Sequence, residues 1–258
     1  MQMSRLKEKL LKREIALGTH IQLNENTATE IIGSLGFDYL WIDTEHTSLS
    51  LQNVADHLLA ARLSGVSTLV RIPWNDPIRM KPILEMGPDG IIIPMVNSYE
   101  EALAVVRGSM YPPKGTRGFG PIQASRYGLM PLDEYYRHAQ EDMLRIVQVE
   151  HVDAVKDLKR IVTIDEIDAY IIGPMDLSSS VCKMGQLEDP EVSALIDEAV
   201  RIVHEAGKPI GVSMGMLTRE QLQTWKDRGI DMISLGNEIS LLISGCQNLL
   251  EHMKSVML

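Results

Sequence analysis

Eight short runs, each apolar from end to end and each followed by a stretch with helical spacing, constrain this chain more than any motif in it. They fall at 17–21, 38–42, 67–71, 90–93, 144–149, 168–172, 209–213 and 231–235. A strand with one wet face alternates apolar and polar side chains. A strand covered on both faces does not, and this is the habit of parallel sheets. Helical spacing is predicted between the runs, at 26–35, 50–64, 76–86, 97–108, 151–160, 190–206 and 218–228, with a last helix at 237–256. The N-terminal MQMSRLKEKLLKREIALG reads as a further, charged amphipathic helix. Eight strand–helix units with no break in composition predict an α/β fold, a (β/α)8 barrel forming one domain over residues 1–258. A doubly wound open sheet is the competing arrangement. Two connections, 109–143 and 173–189, read as long loops, the first with four glycines.

Composition narrows the function classes. The 258 residues carry a net charge of −10, which argues against nucleic acid or an anionic membrane surface as partner. Cys182 and Cys246 are the only cysteines, so no disulfide framework is predicted and a reducing compartment is. The N-terminus lacks the apolar core of a signal peptide. No apolar run approaches the roughly 18 residues of a membrane span. These features predict a soluble cytoplasmic protein.

Barrels of this class build their sites at the C-terminal ends of the strands, so the residues after each run carry the chemistry. The second run ends in Asp43, Glu45 and His46, and the third in Arg71 and Pro73. The fifth ends in Gln148 and Glu150, and the sixth runs into Gly173-Pro174-Met175-Asp176. The first offers His20 and Gln22, and the seventh Ser213. The opposite rim holds turn residues such as Gly65, Gly207, Lys208, Pro209 and Gly229. Taken singly, each polar residue has an ordinary reading. Asp43 caps a helix, Glu45 is a solvated or salt-bridged loop acid, and His46 is a hydrogen-bonded loop histidine. Arg71 pairs with a carboxylate, Glu150 favours a helix N-terminus, and Asp176 caps a turn. Their convergence on one rim points instead to a hard-metal site with an acid/base group.

Other features carry less. Gly115, Gly118 and Gly120 imitate a phosphate loop but neither follow a strand nor open a helix. Cys182 beside Lys183 has no histidine spaced to activate it. Imine chemistry needs a lysine at a strand's C-terminal end. Lys208 lies at the wrong end of its strand, and Lys114 and Lys183 lie in loops. Metal-assisted enolisation is therefore favoured over a Schiff base.

FDYLWIDTEH, VRIPWNDP, IIIPMVNSYEEA, YPPKGTRGFG with ASRYG, VQVEH and IIGPMDLS follow one another over nearly the whole chain. In that order they resemble the HpcH/HpaI family of metal-dependent pyruvate aldolases. The resemblance implies a (β/α)8 barrel assembled as a homo-oligomer, a hexamer built as a trimer of dimers, with the last helix exchanged between neighbours. It implies Mg, Mn or Co held by Glu150 and Asp176, His46 as base with Asp43 in support, and Arg71 at the oxo oxygen of the substrate. It places Gln148 against substrate or water, and Gly173 and Met175 in the turn that receives the carboxylate of a 2-oxo acid.

The chain departs from the family pattern in places. Glu85 stands where the family usually has Asp, in a segment that reaches a neighbouring subunit's site. Thr44 often is Gly, Met175 often is Ala, and Ser178–Lys183 replaces a Gly-containing loop. The implied reaction is reversible cleavage of a 4-hydroxy-2-oxo acid into pyruvate, or a related 2-oxo acid, and an aldehyde. Asp43, three residues before His46, is placed to orient the imidazole. The alternatives are a CoA-ester lyase, an oxaloacetate decarboxylase, or another C–C lyase of the superfamily. From another class stands a catalytically silent ligand-binding barrel.

Overall fold

The computed structural model describes residues 4–258; the first three residues of the predicted N-terminal helix lie outside them. Eight parallel strands close into a barrel in sequence order. They are β1 (Ala16–Ile21), β2 (Tyr39–Asp43), β3 (Ser67–Arg71), β4 (Gly90–Ile93), β5 (Leu144–Val149), β6 (Ala169–Ile172), β7 (Ile210–Met214) and β8 (Met232–Asn237). Closure excludes the open sheet. The helices are α1 (Arg5–Leu11), α2 (Asn26–Gly33), α3 (Leu51–Ser64), α4 (Pro77–Met86), α5 (Tyr99–Ser109), α6 (Leu132–Arg137), α7 (Val152–Ile161), α8 (Pro174–Ser180), α9 (Pro190–Glu205), α10 (Arg219–Asp227) and α11 (Glu238–Met257). Every predicted strand is found within two residues of its expected ends. Among the described residues no helix is long and apolar enough to cross a membrane.

The long connections are more ordered than their composition suggests. The first contains α6, running into one π-helical turn over His138–Asp142, and the second opens directly as α8. Pro131 and Pro174 lie within these two connections. Each stands at a helix start, where a missing N–H costs nothing.

The uniform apolarity of the strands reflects two cores, one on each side of the sheet. Outward residues such as Leu40, Ile42, Val70, Ile91 and Val147 pack under the helices. Inward residues form a second cluster: Tyr39, Trp41, Leu69, Ile92, Leu144, Ile146, Ala169, Ile171 and Met232. Large and small inward residues alternate around the barrel. A Cβ on Gly18 would lie 2.4 Å from the Tyr39 ring, and one on Gly211 would lie 2.1 Å from Met232.

The base of the barrel is closed by α1, whose Leu6 and Leu10 belong to the inner cluster. Ser4 caps this helix by accepting from Lys7 N–H. Lys7 Nζ donates to Asp168 Oδ1 at 2.8 Å, and Asp168 Oδ2 accepts from Arg145 N–H, so the plug is tied to the start of β5. At the other extreme α11 buries only Glu238 along its 20 residues. Leu241, Leu242, Ile243, Leu249, Leu250 and Met253 all lie exposed on it.

Leu6 is fully buried in this plug. Leu6→Ala is expected to lower unfolding stability by about 2–5 kcal/mol, the range for a large-to-small change at a site that cannot collapse. Urea unfolding followed by circular dichroism measures it; an unchanged midpoint would show that the plug does not support the barrel.

Candidate active site

Inward parity continues past the apolar layers. On β2, Tyr39 and Trp41 point inward, and two residues on so does Asp43. On β3, Leu69 is followed by Arg71, and on β5, Leu144 and Ile146 are followed by Gln148 and then Glu150. β2 and β3 pair with Asp43 opposite Arg71. The carboxylate and guanidinium therefore meet as a fork: Arg71 Nε donates to Asp43 Oδ1 at 2.9 Å and Nη2 to Oδ2 at 2.6 Å. Nη1 of Arg71 donates to Gln148 Oε1 at 3.3 Å, and Gln148 Nε2 donates to Glu150 Oε2 at 2.7 Å. Met95 N–H closes the chain on Glu150 Oε1 at 2.6 Å. Met95 holds φ 52°, a left-handed conformation unusual for its side chain, which aims that N–H inward. The ring of Trp41 lies beneath this layer, 5.1 Å from the Arg71 guanidinium carbon.

Above the layer is a cavity of about 290 Å3, lined in part by His46, Arg71, Gln148, Gly173, Met175 and Asp176. Five of the eight proposed catalytic, substrate and metal residues are buried or half-buried around its floor, and His46, Met175 and Asp176 stand exposed at its mouth. His46 has a side chain 62 % exposed, 3.7 Å from Glu45 Oε2. Asp43 does not reach the imidazole. Its Oδ1 accepts the backbone N–H groups of Glu45 and His46, fixing the loop that presents the ring. Glu45, which reads as a solvated or salt-bridged loop acid, takes the second course and turns inward. Its carboxylate lies 3.0 Å from Arg71 Nη1 as an ion pair outside hydrogen-bond alignment. Glu85 is the proposed residue that the fold keeps out of the cavity. It pairs with buried Arg117 at 3.1 Å, beside Gly120, Ile122 and Tyr127.

The charges are crowded. Burial alone would raise the Asp43 carboxyl, but Arg71 and the two backbone N–H groups outweigh it and hold it below the usual range. Glu150 goes the other way. Burial, with the nearby charges of Glu45 and Asp176, pushes it up to about 7 despite the Met95 N–H. Burial also raises Glu45, with Asp43 and Asp176 adding to the effect. A divalent cation relieves this kind of strain, and oxygen donors suit a hard ion. Gly173 makes room for the Glu150 side chain: a Cβ there would sit 2.8 Å from Glu150 Oε2. Among the described residues no group of three His, Cys, Asp or Glu side chains is placed to hold a metal. Glu150 and Asp176 are oxygen donors of the kind a hard cation takes.

His20, Gln22, Ser213 and Asn237 were absent from the proposed site yet line the same cavity. Inward parity marks His20 and Gln22, which follow Ala16 and Gly18 by twos, and Ser213, which follows Gly211; Asn237, an odd step from Met232, enters through the register shift between β1 and β8.

Comparison with known proteins agrees with this geometry. The HpcH/HpaI aldolase/citrate lyase family matches residues 17–245. A 4-hydroxy-2-oxo-heptane-1,7-dioate aldolase from Shigella sonnei is 34% identical over 90% of this chain and 88% of its own. A 2-dehydro-3,6-dideoxy-6-sulfogluconate aldolase from Pseudomonas putida is 32% identical over 95% of each. Among solved structures, an HpcH/HpaI aldolase from Desulfitobacterium hafniense superposes with a TM-score of 0.90 at 28% identity, covering 99% of this chain and 98% of that one.

Removing one half of the fork leaves a buried charge alone. Arg71→Ala is expected to cost about 3–5 kcal/mol of stability, and the double variant Asp43→Asn/Arg71→Met markedly less. Chemical denaturation of both variants measures this; equal losses would show that Asp43 does not depend on Arg71.

Proposed function

This chain belongs to the HpcH/HpaI aldolase/citrate lyase family, and on that premise we propose how its barrel works as a metal-dependent class II aldolase. It is a carbon–carbon lyase that reversibly cleaves a 4-hydroxy-2-oxo acid into pyruvate, or a related 2-oxo acid, and an aldehyde. The observation that carries the reading is the bonded row Asp43–Arg71–Gln148–Glu150 beneath a cavity whose mouth holds His46 and Asp176.

Glu150 and Asp176 hold Mg, Mn or Co, which supplies Lewis-acid charge at the oxygens of the 2-oxo acid. The chain's own groups do the rest. Arg71, locked by Asp43, keeps a fixed positive charge beside the oxo oxygen, where negative charge develops as the C3–C4 bond breaks. Gln148 is fixed on both sides and so contacts substrate or water in one orientation. The turn Gly173–Met175 opens α8, whose first N–H groups have no partner within the helix and face the substrate carboxylate. His46 takes the C4 hydroxyl proton in cleavage and returns it in addition, because imidazole is the side chain able both to accept and to release a proton near neutral pH. Asp43 supports it through the backbone of the loop. Met175 narrows the mouth.

The apolar, unsupported α11 supports a homo-oligomer, a hexamer of three dimers in which this helix packs on a neighbour. Glu85 belongs at such a contact, near a neighbouring cavity. Exposed, unpaired Cys182 and Cys246 support a cytoplasmic location.

Exchange of pyruvate methyl protons in deuterated water, followed by NMR with Mn or Mg added, tests the chemistry without any aldehyde. Metal-dependent exchange is expected, slowed by orders of magnitude in Arg71→Ala. A rate at background for the native enzyme would mark a silent barrel. In aldol cleavage, His46→Ala is expected to fall by about 100-fold or more; full activity would remove its role as base.

Light scattering is expected to give six chains per particle. Leu242→Glu with Leu249→Glu is expected to shift it to smaller species; an unchanged mass would place the contact elsewhere.

A further inference from the structure

The cavity has two unlike halves. β2, β3, β5 and the turn after β6 bring the charged groups. Across from them, the neighbouring strands β7, β8 and β1 bring His20, Gln22, Ser213 and Asn237, none of which the reading above uses.

Their hydrogen bonds set the polarity of this second wall. β8 bulges against β1 beside His20, where the register shifts, and Gly236 sits at φ 59°. That turn directs its carbonyl at the ring, with His20 Nδ1 2.8 Å from Gly236 O. A carbonyl only accepts, so Nδ1 carries the hydrogen. Burial, with Arg71 nearby, keeps the ring's proton affinity below the ordinary value, so Nε2 is left as an acceptor. Ser213 Oγ stands 2.9 Å from Nε2 and donates its hydrogen there. The Ser213 oxygen therefore offers lone pairs, not a hydrogen, to the cavity. Beside it, Asn237 Nδ2 donates to Gln22 Oε1 at 2.6 Å, and Gln22 Nε2 reaches Asp43 Oδ2 at 3.4 Å. Each amide nitrogen keeps a second hydrogen. One fixed acceptor next to two spare donors matches an alcohol, which donates and accepts at once.

Charge narrows the choice further. Among the described residues, Arg71 is the only lysine or arginine lining the cavity, and Asp43 and Glu45 already oppose its charge. An aldehyde with its own carboxylate or sulfonate finds no free cation here.

Resting on the aldolase reading, we propose that His20, Gln22, Ser213 and Asn237 form the aldehyde subsite, and that it selects short, uncharged, hydroxylated aldehydes over anionic or purely apolar ones. Ser213 is the residue in contact, and His20 is a positioning residue that aims its hydroxyl. In the addition direction the bond forms between pyruvate C3 and the aldehyde carbon. The proton lost from C3 is balanced by the one gained at the new C4 oxygen, and nothing is oxidised.

The experiment compares kcat/KM for addition of pyruvate, by the metal-loaded enzyme, to glyceraldehyde, glycolaldehyde, propionaldehyde and succinic semialdehyde. Glyceraldehyde is expected to lead propionaldehyde and succinic semialdehyde by about tenfold. Ser213→Ala is expected to draw the glyceraldehyde-to-propionaldehyde ratio toward one, and Ser213→Thr to restore it. Equal falls for both aldehydes in Ser213→Ala, with the ratio kept, would reduce Ser213 to a structural role and overturn the proposal. Succinic semialdehyde as the best substrate, with proton exchange of pyruvate intact, would overturn the proposal and leave the aldolase reading standing. Loss of that exchange in the native enzyme would remove both.

Discussion

The fork between Asp43 and Arg71 is the contact on which the rest of the site depends. A carboxylate with no solvent exposure is tenable because a guanidinium meets it through two parallel bonds. Lysine could neutralise the charge but could not also hold Gln148 in a fixed direction. Through Gln148 the order passes to Glu150, and through the Asp43 backbone contacts to the loop of His46. A single ion pair thus orders the guanidinium of Arg71 and the carboxylate of Glu150, and anchors the loop of His46, each on a different strand or loop.

Such crowding works against stability. Glu150 is raised to about 7 first by its own burial and then by the nearby charges of Glu45 and Asp176. The barrel below compensates with dense apolar layers and the α1 plug, while the rim is left strained, with Met95 and Gly236 at positive φ beside the cavity. Stability and chemistry occupy different heights of the same strands.

The parity of the strands explains what the sequence made legible. Once Tyr39 and Trp41 are known to face inward, Asp43 must, and the same count assigns Arg71, Gln148, Glu150 and His20. That is why the polar lining of the barrel mouth was readable from apolar runs and their polar ends, while the roles assigned to it came from the family resemblance. Parity fails where the strand stops. Glu45 lies past the end of β2, so its neighbours left water and an ion pair equally open; the fold turns it to Arg71. Asp43 gave no sign that it would bond the His46 backbone and not its ring, because the choice depends on Arg71, 28 residues away. Helices α6 and α8 are short and lie inside stretches whose composition reads as loop.

The β7–β8–β1 wall shows the same limit. His20 and Ser213 are separated by 193 residues and meet only because barrel closure sets β1 beside β8 and β8 beside β7. Their meaning lies in the direction of one hydrogen, which Gly236 settles through a bulge. On the function proposed above, charge at one half of the cavity serves the 2-oxo acid and fixed hydrogen-bond polarity at the other serves the aldehyde. The halves meet through Gln22 at Asp43 and through the Trp41 ring, which lies against both His20 and Arg71.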